Sequence, residues 1–472
     1  MAAPTGSGSD LSFLSIRELA TRLQKGLSPV ELTEHFLDRL EKVGPAYNCV
    51  VTVLRERALE EARKAEAEIH AGRWRGILHG VPYGVKDLLA AHGGPTTWGA
   101  APYKDQVFDH DADAVRRLKD AGAVLLAKLS MVELAGGMGY NHANASFNGP
   151  GLNPWNKSYW SGGSSSGPGA AVAAGLVPFA IGSETSGSIL TPSSFCGVSG
   201  LRPTYGRVSR HGAMALSWTL DKLGPMSRSA DDCGIVLSAL AGREASDPTS
   251  VDRPFHYDKP SRPKKGLRIA VPKGVVEKAQ AEVRNNFGAS LAALRRMGTV
   301  TLDVEWPDLP WGPAVGAIVA AEGATAFLDF IESGKCAELA CKASRGRGYA
   351  GAFVFAVDYI QAMRQRRPMQ KAIAELFNRF DVIAAPTRAT VAYPADQEFE
   401  KVYPDVSGGP PLIAAGNLCG LPALSVPNGF GENHLPTGIS FLGAPFSEET
   451  LVAVGNAYQA ATDWHLQFPT VA

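Results

Sequence analysis

A chain of 472 residues with 46 Lys+Arg against 46 Asp+Glu has no formal net charge. That removes a whole-chain electrostatic case for nucleic acid or an anionic membrane surface. Hydrophobic residues make up 45%, the level of a globular chain and not a disordered one. The six cysteines (Cys49, Cys196, Cys233, Cys336, Cys341 and Cys419) form no CxxC pair, so no zinc site and no disulfide framework are expected. Free thiols point to a reducing, cytoplasmic setting.

Residues 1–10 are polar, with no apolar core of a signal peptide, and no 18-residue apolar run is present. Ser15-x-x-Glu18 reads as a capping box opening a helix that Gly26 closes. Ser28-Pro29-x-Glu31 opens a second helix, with proline at its first position. Alternating Glu and Lys/Arg from Val53 to Ala71 predicts a third, with one solvated face. Gly80 to Asp87 reads as a short apolar strand ending in charge, 112–121 as a helix and 123–127 as a buried strand. This alternation predicts an α/β layer structure. Further on, 230–241 predicts a helix and the Pro-, Asp- and Lys-rich 243–266 a surface linker. A strand is expected over 267–272, a helix near 277–297, and an irregular Gly-rich segment over 306–350. Then come a helix over 352–379 and strands over 380–387, 421–427 and 438–443. No internal repeat is present, so one domain over 1–472 is expected. It has a helical front (1–75), a core (76–242), the linker, and a C-terminal part (267–472) that completes the sheet. Within that last part, 306–350 is the candidate for a variable substrate lid.

The densest chemistry lies between Ser161 and Gly197. Ser161-Gly162-Gly163-Ser164-Ser165-Ser166-Gly167 and Gly182-Ser183-Glu184-Thr185-Ser186-Gly187-Ser188 flank a small apolar segment. Glycine lets backbone approach closely and serine supplies hydroxyls, so this is a place where main chain builds a site. Two Gly/Ser loops can also be no more than tight turns. As a phosphate cradle for a nucleotide-binding module, the first loop lacks both Gly-Lys-Ser/Thr and G-x-G-x-x-G in register. Gly163-x-Ser165-x-Gly167 matches the nucleophile elbow, which would make Ser165 the nucleophile and require a histidine. None of the ten histidines sits in an evident catalytic context.

Taken in order, the motifs resemble the amidase signature family. They are Gly162 to Gly167, Gly187-Ser188-Ile189, Phe195-Cys196-Gly197 and Gly200-Leu201-Arg202-Pro203-Thr204-Tyr205-Gly206. Supporting matches are Gly80-Val81-Pro82 with Val85-Lys86-Asp87, Thr96-Thr97-x-Gly99, Asn153-Pro154-Trp155, Asp221-x-x-Gly224-Pro225 and Gly420-Leu421-Pro422-Ala423. The resemblance covers about 11–465. It implies a single α/β/α domain, its central twisted mixed sheet covered by helices on both faces. It also implies a Ser–cis-Ser–Lys triad: Ser188 as nucleophile, Ser164 as the middle serine after Gly163, and Lys86 as base. Burial among Val85, Leu88 and Leu89 would keep Lys86 neutral, as a base must be. Backbone N–H groups of Thr185, Ser186, Gly187 and Ser188 are the candidate oxyanion donors, and by the resemblance Met138, Gly139 and Tyr140, with Gly163, would line the substrate pocket. Three positions depart from the family's usual pattern: Glu184 in place of Asp, Ser186 in place of Gly, and Leu190 where many members carry Arg.

The activity expected on this basis is that of a stand-alone serine amidohydrolase cleaving neutral aryl or alkyl amides through an acyl-enzyme, extending to carbamates (urethanes) and esters. No metal or cofactor is expected, and neither a nucleic-acid nor a membrane partner. The substrate is a small molecule and the chain a monomer or homodimer. The alternative is the glutaminase/transamidase subunit of a tRNA-dependent amidotransferase. Against it, the acidic glutamine-binding position of those subunits falls near Pro410, which cannot pair with an amino group.

Overall fold

In this computed structural model, residues 11–136, 142–406 and 411–471 are described. Ser15 caps α1 (Ile16–Gln24): its hydroxyl accepts from the Glu18 N–H, and the Glu18 carboxylate accepts from the Ser15 N–H. The capping box therefore forms as written. Ser28 caps α2 (Pro29–Lys42) through the N–H groups of Val30 and Glu31. The charge-rich stretch forms α3 (Arg55–His70), which buries only Ala58, Ala62 and Ala65, one stripe at helical spacing. Between α2 and α3 lies β1 (Val50–Val53), followed later by β2 (Pro82–Lys86), α4 (Asp113–Asp120) and β3 (Val124–Leu129).

A small hairpin of β4 (Leu152–Asn153) and β5 (Asn156–Trp160) leads into the Ser/Gly stretch. That stretch is built as α5 (Ser166–Ala173), β6 (Phe179–Glu184), α6 (Leu190–Cys196) and β7 (Ser199–Arg202). Next come β8 (Lys222–Ser227) and α7 (Ala230–Leu240), and 244–266 holds no helix or strand. The C-terminal part runs β9 (Leu267–Pro272), α8 (Ala281–Met297), β10 (Gly298–Val304), α9 (Trp311–Ala326), α10 (Leu328–Glu332), α11 (Ser344–Ala352) and α12 (Ala356–Arg379). It closes with β11 (Val382–Pro386), α13 (Phe399–Val402), α14 (Pro411–Leu418), β12 (Ala423–Phe430), β13 (Pro436–Gly443) and α15 (Glu448–Thr462).

Eleven described strands form one mixed sheet in the order β1-β3-β2-β6-β8-β7-β12-β13-β11-β9-β10. β2 is parallel to both β3 and β6, and β9 to both β10 and β11; the centre, from β6 to β11, is antiparallel. α5 and α6 pack on each other and over the central strands, while α7, α8 and α15 form a second packed group. The expected α/β domain with a helix-covered mixed sheet is therefore present. Because β2 and β6 run parallel, Lys86 and Glu184, their last residues, emerge at the same edge. The carboxyl ends of parallel strands are where open α/β sheets place ligands.

One expectation fails. Residues 306–350 are not irregular but mostly helical, as α9, α10 and α11. Glycine at 312, 316 and 323 disguises α9, each disfavouring a helix interior by roughly 0.5–1 kcal/mol. Trp311, Ala314, Val315, Ile318 and Glu322 are nevertheless buried at helical spacing, and tertiary packing overrides the local weakness.

Beside Lys86, a second lysine is buried on the neighbouring strand. Lys128 Nζ lies 3.0 Å from Asp87 Oδ1, with both side chains fully buried. It also donates to the Leu89 carbonyl at 2.7 Å and Thr96 Oγ1 at 2.6 Å, while Thr97 bonds the other Asp87 oxygen. Removing one partner of such a pair strands the other charge in the core. Lys128→Ala is therefore expected to lower unfolding stability by about 3–5 kcal/mol in urea denaturation. A loss below about 1 kcal/mol would show that the pair is not what anchors β2 to β3.

Candidate active site

Lys86 ends β2 fully buried. Its Nζ donates to Ser164 Oγ at 2.7 Å and to Ser183 Oγ at 2.9 Å. Burial lowers its pKa to about 7, against the opposing pull of the Asp221 and Glu184 carboxyls. The amine is thus held near the boundary between its acid and base forms at neutral pH. The Gly163–Ser164 peptide is cis. A Cβ at Gly163 would meet Trp160 and Val132 side chains at 2.6 and 2.7 Å, so only glycine fits there.

Ser165 is fully buried and spends its hydroxyl on main chain. It donates to the Ser183 carbonyl at 3.2 Å and accepts from the Ser183 N–H at 3.3 Å. Ser161 and Ser166 likewise donate to the carbonyls of Gly151 and Ser130. The first loop is therefore neither an open phosphate cradle nor a histidine-served elbow; it is a wall that holds Ser164 against Lys86. The Ser165 N–H donates to the Ser188 carbonyl at 3.3 Å and fastens the two loops side by side.

The second loop is anchored at both ends by carboxylates, Glu184 fully buried and Asp221 partly so. Glu184 Oε2 accepts from the N–H groups of Ile189 at 2.9 Å and Leu190 at 3.0 Å. Its Oε1 accepts from Arg202 at 2.7 Å and Asn417 at 2.8 Å. Burial alone would raise the Glu184 pKa, but Arg202 and Asn417 outweigh it and hold the group ionised. At the other end, Thr185 Oγ1 donates to Asp221 Oδ1 at 2.6 Å, while Asp221 Oδ2 accepts from the N–H groups of Leu216 and Ser217 at 2.8 and 2.9 Å. Between the anchors, Ser188 is only 3% exposed. Gly187 has φ +93°, and a Cβ there would meet Ile413 and Thr191 at 3.2 Å. Among the described residues, the N–H groups of Ser186, Gly187 and Ser188 have no acceptor within the fold. They are free to meet a developing oxyanion.

The structure therefore places Ser164, beside Gly163, against Lys86, and lays the loop carrying Thr185, Ser186, Gly187 and Ser188 alongside through the Ser165–Ser188 main-chain bond. Met138, Gly139 and Tyr140 lie outside the described residues, as does Pro410. Sequence reasoning missed Ser183 as the second hydroxyl on Lys86, and it missed Asp221, Arg202 and Asn417 as supports. Asp221 and Arg202 stand inside family-like motifs, which was a signal without a role. A cavity of about 190 Å³ opens beside Ser183, Thr185 and Asp221, walled by Leu88, Met214, Leu216 and Trp218. Among the described residues, no group of three or more His, Cys, Asp or Glu could hold a metal ion, and no helix is long and apolar enough to cross a membrane.

A model of the amidase family matches residues 31–452. A glutamyl-tRNA(Gln) amidotransferase subunit from Azoarcus sp. (strain BH72) is 38% identical, over 96% of this chain and 99% of that one. The solved peptide amidase of Stenotrophomonas maltophilia is 31% identical with TM-score 0.85, covering 97% of this chain and 98% of its own. A solved vestigial protein complex, bearing on the origins of an s-triazine catabolic enzyme, has TM-score 0.88 at 29% identity, over 97% and 100% of the chains.

These findings correct two expectations. The stand-alone hydrolase of neutral amides gives way to the amidotransferase alternative, because full-length relatives at this identity are subunits of such an assembly. The expectation of a small-molecule substrate alone, with no nucleic acid and no partner beyond a second copy of the chain, falls with it. The physical error was to read zero net charge as excluding RNA. The charge of one chain says nothing about the surface of an assembly.

Glu184 supplies a test of the anchoring geometry. Glu184→Ala frees the N–H groups of Ile189 and Leu190 and leaves Arg202 buried without its carboxylate. A stability loss of about 3–5 kcal/mol in urea is expected. Unchanged stability would mean that the carboxylate does not anchor the loop.

Proposed function

The chain belongs to the amidase family, and from that premise we propose that it is the glutaminase and transamidase subunit of a tRNA-dependent amidotransferase. The observation that carries this reading is its full-length similarity to glutamyl-tRNA(Gln) amidotransferase subunits. An exposed apolar group where α11 meets α12 (Phe353, Phe355, Val357 and Ile360) supports it, being a surface of the kind partner chains cover. Six buried thiols, none in a disulfide, fit a cytoplasmic setting.

In this reading neutral Lys86 takes the proton of Ser164 while Ser164 takes that of Ser188. Ser188 Oγ then attacks the side-chain carbonyl of glutamine. Free serine is a poor nucleophile, and the relay supplies the base it needs. The charge that forms on the carbonyl oxygen is met by N–H groups of the Thr185–Ser188 loop, and removing one such donor typically lowers turnover about 10²–10³-fold. Collapse of the tetrahedral intermediate breaks the C–N bond. The proton returns from Lys86 through Ser164 to the departing nitrogen, giving ammonia and a glutamyl ester on Ser188. Water, deprotonated by the same relay, releases glutamate, and the ammonia passes to the partner chain that amidates the charged tRNA. Carbamates and esters present the same carbonyl to the same donors, so acyl transfer from them belongs to this proposal as a side activity.

Ammonia release from glutamine, by the purified chain with its co-purifying partner, tests the reading. Ser188→Ala and Lys86→Ala should each lower the rate at least about 10³-fold. No ammonia from glutamine, beside intact hydrolysis of simple amides, would overturn the amidotransferase role. Lys86 acts as its neutral form, so activity should rise with pH along a limb centred at about 7. A flat profile from about pH 6 to 10 would remove Lys86 as the base.

A further inference from the structure

Glu322 lies on α9, in the segment where an irregular lid was expected, and is 1% exposed. Its carboxylate receives four hydrogen bonds. Oε2 accepts from Ser217 Oγ at 2.5 Å and the Thr219 N–H at 3.2 Å; Oε1 accepts from Thr219 Oγ1 and Tyr359 Oη, both at 2.9 Å. One partner, the Thr219 N–H, can only donate; the three hydroxyls donate because a carboxylate faces them, and a glutamine would keep its contacts only if hydroxyls turned to accept from its NH₂. The carboxylate is thus the group that lets all four donate at once.

Three of those donors belong to a single turn, and that turn ends at the site. Ser217 and Thr219 sit inside 216–221, and Asp221 closes it by accepting from the N–H groups of Leu216 and Ser217. Asp221 also receives Thr185 Oγ1 at 2.6 Å, and Thr185 opens the loop that carries the oxyanion donors. Arg366 of α12 adds a bond from its guanidinium to the Thr219 carbonyl at 2.8 Å. Glu322 and Asp221 thus grip one short turn from two sides, and Leu216 and Trp218 of that turn wall the cavity beside Thr185.

We infer that Glu322 is a positioning residue: through the 216–221 turn and Asp221 it fixes Thr185, and with it the aim of the oxyanion donors. The inference rests on the proposed role of the Thr185–Ser188 loop. A carboxylate that merely closed a helix contact would affect stability alone. One that aims donors affects turnover of bound substrate more than binding, because an oxyanion contact is made only in the transition state.

The test compares Glu322→Gln, Tyr359→Phe, Thr185→Val and the Glu322→Gln/Thr185→Val double variant, with p-nitrophenyl acetate as probe and thermal melting alongside. Glu322→Gln should lower kcat about tenfold or more with KM within about twofold. Thr185→Val should do the same, and the double variant should lose little more than the worse single, since the two act along one path. Tyr359→Phe removes one donor, keeps the carboxylate, and serves if Glu322→Gln does not fold; a several-fold fall in kcat is expected. A kcat within about twofold of the parent in both Glu322→Gln and Tyr359→Phe, whatever the melting temperature, overturns the inference, as does multiplication of the two single effects in the double variant. Ester turnover is the readout so that a failure of glutamine to react counts against the proposed function alone.

Discussion

Lys86 is buried with two hydroxyl groups against its amine, and the proposed chemistry depends on that amine shedding its charge. Lowering a lysine from 10.5 to about 7 corresponds to roughly 5 kcal/mol of preference for the neutral form. Burial also lowers the pKa of Lys128, one strand away and as deeply buried, but there a carboxylate in contact opposes the fall. Lys128 has Asp87 at 3.0 Å and serves as one half of a structural ion pair. Burial is common to both; the difference is the partner. A carboxylate in contact sustains the charge, while hydroxyls can exchange a proton without requiring one. Of two buried lysines on adjacent strands, only Lys86 is poised to move a proton.

The same logic constrains what holds the nucleophile loop. Glu184 and Asp221 anchor it from both ends, yet each pulls Lys86 toward its charged form. Positioning and base strength are in tension. For Glu184 the tension is relieved by Arg202 and Asn417, which share its charge on the side away from the loop. Asp221 is satisfied by hydrogen bonds from Thr185, Leu216 and Ser217, and burial raises its pKa. Lys222, opposite Glu184 in the β6–β8 ladder, has no hydrogen bond on its amine among the described residues, and burial drives its pKa far down.

What can be read in advance follows from how local each feature is. The capping box at Ser15 and Glu18 is complete within four residues and is legible. Lys86, Ser164 and Ser188 are legible because motifs in a fixed order carry them. The strands β6, β7 and β8 are not, since both their faces are buried and they show no polar alternation. Glycine and proline inside them, such as Gly224 and Pro225, also read as turns. Glu322 is illegible for a different reason. Ser217, Thr219 and Tyr359, which give it meaning, lie far away along the chain, and its own segment reads as a loop. The misjudged partnership has the same root: zero net charge is a property of one chain, whereas docking is a property of its surface in an assembly.

The reaction centre proposed above, one amine, two hydroxyls and main-chain N–H groups, would carry little selectivity of its own. Its contacts go to atoms that every amide, carbamate and ester shares. Discrimination must then come from the walls, and one wall is the 216–221 turn beside the cavity. On the inference above, that turn would join catalysis to selection, because Leu216 and Trp218 wall the cavity while Asp221 accepts from Thr185. Changes in α9 or α12 that shift Glu322 or Tyr359 would move both together. A family with this architecture can alter its substrate through helices remote from the serines, but only within the range that keeps the oxyanion donors aimed.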